Sequence, residues 1–151
     1  MAANDPQLAD IWTRLMGLFF CKRDAFFAEL GALHLTPPHG HALLTLRNGP
    51  IRMRDMAEQM ACDASYVTAV ADRLEELGLA ERRNALDDRR ARELVLTAKG
   101  RRVADRLDAV FTEPPAPLAE LPAADRTALA RIARKLGEPV EPDWMPSRTL
   151  R

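Results

Sequence analysis

The sequence predicts a mainly α-helical fold with one small β-hairpin, an α+β chain. Three observations point to it. Apolar residues recur at helical spacing along most of the chain. One stretch, RELVLT (92–97), alternates instead. Capping residues, prolines and glycines stand at the breaks between these segments. With 151 residues, 47% of them hydrophobic and 29% charged, the chain is expected to form one soluble domain around a real core. No apolar run approaches the roughly 18 residues of a membrane span. The start, MAANDPQLAD, lacks the basic lead and apolar centre of a signal peptide. A cytoplasmic protein without membrane association is therefore expected. Cys21 and Cys62 are too few and too far apart for a disulfide framework or a zinc knuckle.

Asp5-Pro6 opens the first helix, Asp5 as N-cap and Pro6 at the first helical position. Leu8, Ile11, Trp12, Leu15, Leu18 and Phe19 follow at helical spacing, and Phe26, Phe27 and Leu30 lead to Gly31. A helix of about seven turns is expected. Its apolar stripe is wide for the first helix of a monomer, which favours burial in a dimer over an ordinary core face. Thr36-Pro37 repeats the cap-then-proline signal, and the second helix runs through Leu43, Leu44 and Leu46 to the stop Asn48-Gly49-Pro50. RMRDMAEQM (52–60) forms the third, with Met53, Met56, Ala57 and Met60 on one face. After ACD, the stretch ASYVTAVADRLEELG (64–78) forms the fourth, with Val67, Val70, Leu74 and Leu77 inward and Gly78 as its stop.

Two short helices three residues apart have the spacing of a helix-turn-helix. Ala57 lets the helices approach, Ala61 and Cys62 fit the tight turn, and Val67 packs the second helix back on the first. Ser65, Tyr66, Thr68, Ala69, Asp72 and Arg73 are left on the outer surface, a short-chained, hydrogen-bonding set suited to a major groove. LAERR (79–83) and RELVLT (92–97) then pair as a hairpin, with Leu94 and Leu96 on one face and Asn84 and Asp87 as turn residues in the tip NALDDRRA (84–91). Such a hairpin directly after a helix-turn-helix is a wing. Thr97 caps the next helix, whose inward face is Val103, Leu107, Val110 and Phe111, and Pro114-Pro115-x-Pro117 ends it. The last helix spans about 122 to 136, with Leu129, Ile132 and Leu136 inward. The proline-rich tail EPVEPDWMPSRTLR (138–151) is either anchored by Trp144 and Met145 or extended and disordered.

The net charge of zero hides an asymmetry: residues 82–106 hold eight Arg and Lys99 against Asp87, Asp88, Glu93 and Asp105, nine cations to four anions. A solvated face would account for this, and so would a surface that meets DNA. On the second reading Arg89 and Arg90 sit at the wing tip, where they can follow the phosphate backbone or enter a minor groove. Asp88 beside them then braces an arginine or the turn.

The stretch VTAVADRLEELGLAERRNALDDRRARELVLTAKG (67–100) resembles the recognition helix and wing of the MarR family of bacterial transcriptional regulators almost position by position. Asp88-Arg89-Arg90 matches the wing's Asp-x-Arg signature, and LVLTAKG matches the strand leading into the next helix. LTPPHGHALLTL (35–46) and LPAADRTALARIARKL (121–136) resemble the family's second and last helices more loosely, and the likeness covers roughly residues 8 to 137. The resemblance implies a winged helix-turn-helix core over 36–100 and a homodimer whose helices at 6–34 and 112–137 intertwine. It implies a repressor of a pseudo-palindromic double-stranded DNA site. Ser65, Tyr66, Thr68 and Arg73 would contact that site, Arg89 and Arg90 would serve from the wing, and Asp88 would brace. It further implies release by a small aromatic effector bound between the dimer and DNA-binding regions, with Trp12, Met16, His39, His41 and also His34 as candidate lining beside their ordinary core and helix-start roles.

Other classes fare less well. No glycine-rich phosphate loop, nucleophile elbow or metal triad is present, so neither an enzyme nor a cofactor is expected. His39 and His41, two apart, diverge on one helix and lack a third ligand beyond His34, so no metal site is expected. Cys21 has Lys22 and Arg23 beside it but is expected to be buried and inert, and Cys62 to serve as a small turn residue. The remaining alternatives are a winged-helix metal or redox sensor and a helical interaction protein that binds no DNA. The second leaves the arginine-tipped hairpin without a purpose.

Overall fold

The computed structural model describes residues 5–85 and 91–137. In chain order the elements are α1 (Pro6–Ala32), α2 (Pro37–Leu46), β1 (Ile51–Arg52), α3 (Met53–Gln59), α4 (Ala64–Glu76), β2 (Ala80–Asn84), β3 (Arg92–Leu96), α5 (Ala98–Thr112), α6 (Ala116–Ala119) and α7 (Ala123–Lys135). The helix-turn-helix and hairpin expected from the sequence form a winged helix. Asp87, Asp88, Arg89 and Arg90, and the tail with Trp144 and Met145, lie outside the described residues.

Local chemistry explains the helix starts. Asp5 accepts from the backbone N–H of Gln7 at 2.9 Å, Asp63 from Tyr66 at 2.8 Å, and Thr97 from Gly100 at 3.0 Å. Three helix ends share one device. After α1, the N–H of His34 bonds to Gly31 and that of Leu35 to Leu30; Ala61 and Cys62 repeat the pattern after α3, and Gly78 and Leu79 after α4. The residue in the left-handed conformation is His34 (φ 52°), Ala61 (φ 48°) and Gly78 (φ 65°). Only the third is the glycine that this geometry favours. Ala61→Gly is therefore expected to stabilise the helix-turn-helix by up to about 1 kcal/mol, and Ala61→Val to destabilise it by about 2 kcal/mol, because a β-branched side chain tolerates the left-handed region worst. Urea denaturation of the two variants checks both signs.

The sheet has three antiparallel strands in the order β1-β3-β2, with Leu94 opposite Ile51 on one side and Arg82 on the other. The two-residue β1 is too short to show alternation, so the sequence reading contained only the hairpin. Asn84, expected in the turn, is a strand residue opposite Arg92, and the ladder continues through the Ala85 N–H to the Ala91 carbonyl at 2.9 Å. Val95 is buried on the face away from Leu94, so β3 is covered on both sides.

The core lies where α2, α3, α4 and α5 meet this sheet, with Leu43, Met56, Val67, Leu74, Leu94 and Leu107 fully buried. Ion pairs fasten its rim: Arg47 lies 2.8 Å from Asp105 and 3.1 Å from Asp108, and Arg106 lies 3.4 Å from Glu29. The outer helices depart from expectation. Leu129, Ile132 and Leu136, expected inward, are exposed, Leu136 by 78%, and α7 buries no residue. Of α1 only Phe26 and Leu30 are buried, and Cys21, expected to be buried, is exposed. In both helices the apolar stripe extends beyond anything the described part of one chain can cover. The break at Pro114-Pro115-x-Pro117 contains the short α6, because Pro117 falls in its first turn, where a missing N–H costs no helical bond.

Candidate nucleic-acid interface

The turn after α3 delivers α4 to the surface through Asp63. Its carboxylate caps the helix and also accepts from the Ser65 hydroxyl, bonds that hold it below the usual carboxylate range, the Ser65 bond first and the Tyr66 N–H second. Val67, Val70, Ala71 and Leu74 bury one side of α4. Opposite them Ser65, Thr68 and Ala69 are exposed, and the Thr68 hydroxyl donates to the Ala64 carbonyl at 2.8 Å.

The other two expected contact residues of α4 stand on a flank. Arg73 is half-buried and pairs with Glu76 at 3.0 Å. Its charge also reaches His39, whose pKa lies below the ordinary value because of burial first and Arg73 second. Tyr66 is exposed but turns towards α2, where it lines a cavity. Helical spacing alone put all six outer residues on one surface; the structure spreads them over a wider arc, with α2 occupying one side.

The charge excess of the hairpin resolves in the same way. Arg82 pairs with Asp72 and Glu75, Arg83 lies 2.6 Å from Glu93, and Lys99 donates to the Leu77 carbonyl at 2.7 Å. Arg92 and Arg102 form no ion pair among the described residues, and Arg101 reaches the Arg47 carbonyl at 3.5 Å. Most cations at the root of the wing are thus committed internally, which leaves Arg92 as its outward charge there. Arg92 and Arg54 stand on the walls of an open cleft of about 770 Å³ between α3, the start of α4 and the hairpin. The sequence reading named neither. The signal for Arg92 was its place at the hairpin end; Arg54, paired with Glu58 at 3.1 Å, gave none.

A second cavity, of about 480 Å³, lies between the C-terminal half of α1, α2 and the end of α5. Phe19, Phe26, Phe27, His41, Tyr66 and Phe111 are among its lining, with Arg23 on the wall. Burial lowers the His41 pKa. Of the residues expected around an effector, only His41 lies on this wall. Trp12 is 64% exposed and Met16 half-buried earlier in α1. His39 Nδ1 accepts from the Thr36 N–H at 3.2 Å, which commits that nitrogen to the start of α2. His34 serves the end of α1. Among the described residues no group of three or more His, Cys, Asp or Glu side chains is placed to hold a metal ion, and no helix is long and apolar enough to cross a membrane.

Comparison with known proteins places this geometry. The model of the MarR family matches residues 35–91. The HTH-type transcriptional repressor MdtR of Bacillus subtilis is 32% identical over 101 residues, 66% of this chain; the chain spans 65% of that repressor's length, less than two thirds. The crystal structure of YusO from Bacillus subtilis superposes with a TM-score of 0.70 at 28% identity, over 89% of this chain and 96% of that one. The S. aureus MepR F27L mutant, bound to an oligodeoxyribonucleotide, has a TM-score of 0.68 at 19% identity over 85% of this chain and 94% of its own, a likeness of fold alone.

Proposed function

We propose that the chain is a member of the MarR family, a reading that the match over residues 35–91 and the likeness to MdtR and YusO support, and that it is a cytoplasmic, homodimeric transcriptional repressor that binds a pseudo-palindromic double-stranded DNA site. The family is one of regulators rather than enzymes. In this reading residues 36–100 are the DNA-binding core and the helices within 6–34 and 112–137 join two copies. The observation that carries it is the outer face of α4. Ser65, Thr68 and Ala69 form a short-chained surface that a major groove admits, and the carboxylates Asp72, Glu75 and Glu76 behind it are each paired with an arginine. Acids that would repel phosphate are thereby neutralised beside the contact surface. Tyr66 and Arg73 act from the flank, and Arg89 and Arg90 from the wing, with Asp88 bracing them. In a dimer the two copies of α4 meet the same face of the duplex roughly 34 Å apart.

The cavity between α1, α2 and α5 supports the second half of the reading, release by a small aromatic effector. Four phenylalanines stand on its walls, and Tyr66 reaches it from α4, so a molecule seated there touches the helix that reads DNA.

Selection of the purified protein on random duplex DNA is expected to enrich an inverted repeat. By anisotropy across a salt series, Arg90→Ala is expected to weaken binding to that repeat and to reduce the salt slope by about 0.9, the value of one phosphate contact. If no sequence is enriched and affinity at low salt equals that for arbitrary DNA, the reading fails.

A further inference from the structure

Thr68, Asp72 and Glu75 follow one another at i, i+4 and i+7, which aligns them along one flank of α4. A single residue of the hairpin meets all three. Arg82 Nη1 pairs with Glu75 Oε2, while Nη2 lies 2.7 Å from Asp72 Oδ1 and 3.2 Å from the Thr68 carbonyl oxygen. The Arg82 backbone N–H donates to Glu75 Oε1 at 2.8 Å. One carboxylate therefore holds both the main chain and the side chain of the same residue. The Arg82 side chain is only 19% exposed. A planar guanidinium desolvated among several acceptors is a stiff joint, unlike the solvent-exposed pairs that Arg54 and Arg14 make on open surface.

We propose that Arg82 is a positioning residue: it fixes the angle of the hairpin against α4, so that helix and wing meet DNA together, and touches no phosphate itself. The inference rests on the DNA-binding reading above, and its chemistry sets it apart from a contact. An arginine that binds phosphate directs its fork outward; this fork faces α4 and is already occupied. Arg82 also withdraws two carboxylates from the field in front of the helix, so its contribution to affinity is indirect on both counts.

Glu75→Gln is the decisive variant. It removes a negative charge close to the contact surface, and electrostatics alone says that binding should tighten. Loss of the joint says that it should weaken. We expect Glu75→Gln and Arg82→Gln each to weaken binding to the selected repeat by about tenfold, the scale of one charge-assisted hydrogen-bonded pair, and the double variant to be no worse than either single one. Neither should change the salt slope, since no phosphate contact is lost. Arg82→Lys should recover only part of the loss, because a single ammonium nitrogen cannot span the acceptors that Nη1 and Nη2 reach separately. Independently of DNA, amide hydrogen exchange over residues 80–96 should quicken in Glu75→Gln while α2 and α5 keep their protection. Glu75→Gln keeps the side chain's size and its acceptor for the Arg82 N–H, so it reports even if Arg82→Gln does not fold. Unchanged or tighter binding by Glu75→Gln, or a slope reduced by about 0.9 in Arg82→Gln, overturns the positioning role alone. A wild-type protein that selects no DNA overturns the regulator reading, and the role of Arg82 in it.

Discussion

Gly100→Ala is expected to destabilise the protein by about 3 kcal/mol or more, the range of a severe steric insertion, although alanine is the better helix former by about 1 kcal/mol. Gly100 is the third residue of α5, and a Cβ built there would stand 1.7 Å from the Leu79 carbonyl oxygen and 2.7 Å from its carbon. These are backbone atoms, and they cannot step aside. The Leu79 N–H bonds to Leu74 at 2.8 Å, its carbonyl accepts the Thr97 N–H at 3.1 Å, and the next residue, Ala80, pairs with Leu96. The Thr97 hydroxyl donates to the Gly78 carbonyl at 2.7 Å. The end of α4, the start of β2 and the start of α5 are stitched together at this point, and a methyl group forces them apart. Urea denaturation measures the loss; a variant as stable as the wild type would mean that Leu79 does not approach α5 so closely.

The second large effect concerns association. In the proposed homodimer, Leu15→Asp is expected to leave a monomer, raising the dissociation constant by three orders of magnitude or more, about 4 kcal/mol, because a carboxylate would be forced into a desolvated contact. Leu8, Ile11, Leu15 and Phe19 on α1 and Leu129 and Ile132 on α7 are all exposed in the single chain. Stripes of this size on two helices from opposite ends of the sequence exceed what a monomer ordinarily leaves wet. Each such side chain contributes about 1.5–3 kcal/mol when fully buried. Sedimentation equilibrium reads the mass directly, and operator affinity should collapse with it, since one winged helix holds only a half-site. A variant that keeps the wild-type mass and affinity would remove these helices from the interface.

What the sequence made legible was mostly local. Asp5 and Thr97 announce helices because a side chain two or three residues from an orphan N–H can cap it, whatever the rest of the chain does. The long-range features were hidden. Periodicity says that α7 has an apolar face, not that a neighbour lies within the same chain, and so Leu129 and Ile132 were read as inward. It also does not give the rotation of α1 relative to α2. Trp12 and Met16, which the resemblance suggested as lining, lie outside the cavity whose walls Phe19, Phe26 and Phe27 supply farther along the same helix. Arg82 and Arg89 look alike in a count of charge. What separates Arg82 is a trio of acceptors on α4, seven to fourteen residues earlier, whose alignment exists only once the helix has formed.

The strand order β1-β3-β2 has a consequence for solubility. With β3 in the middle, β1 and β2 are the two edges of the sheet, and β2, five residues against the two of β1, is the longer edge, where a strand from another molecule could add. Its central residues are Glu81, Arg82 and Arg83. Charge along an edge discourages such addition, and Arg82, turned towards α4 rather than outward, also ties the edge strand to a helix. The same few residues that shape the hairpin thus guard it against becoming a template for fibrils.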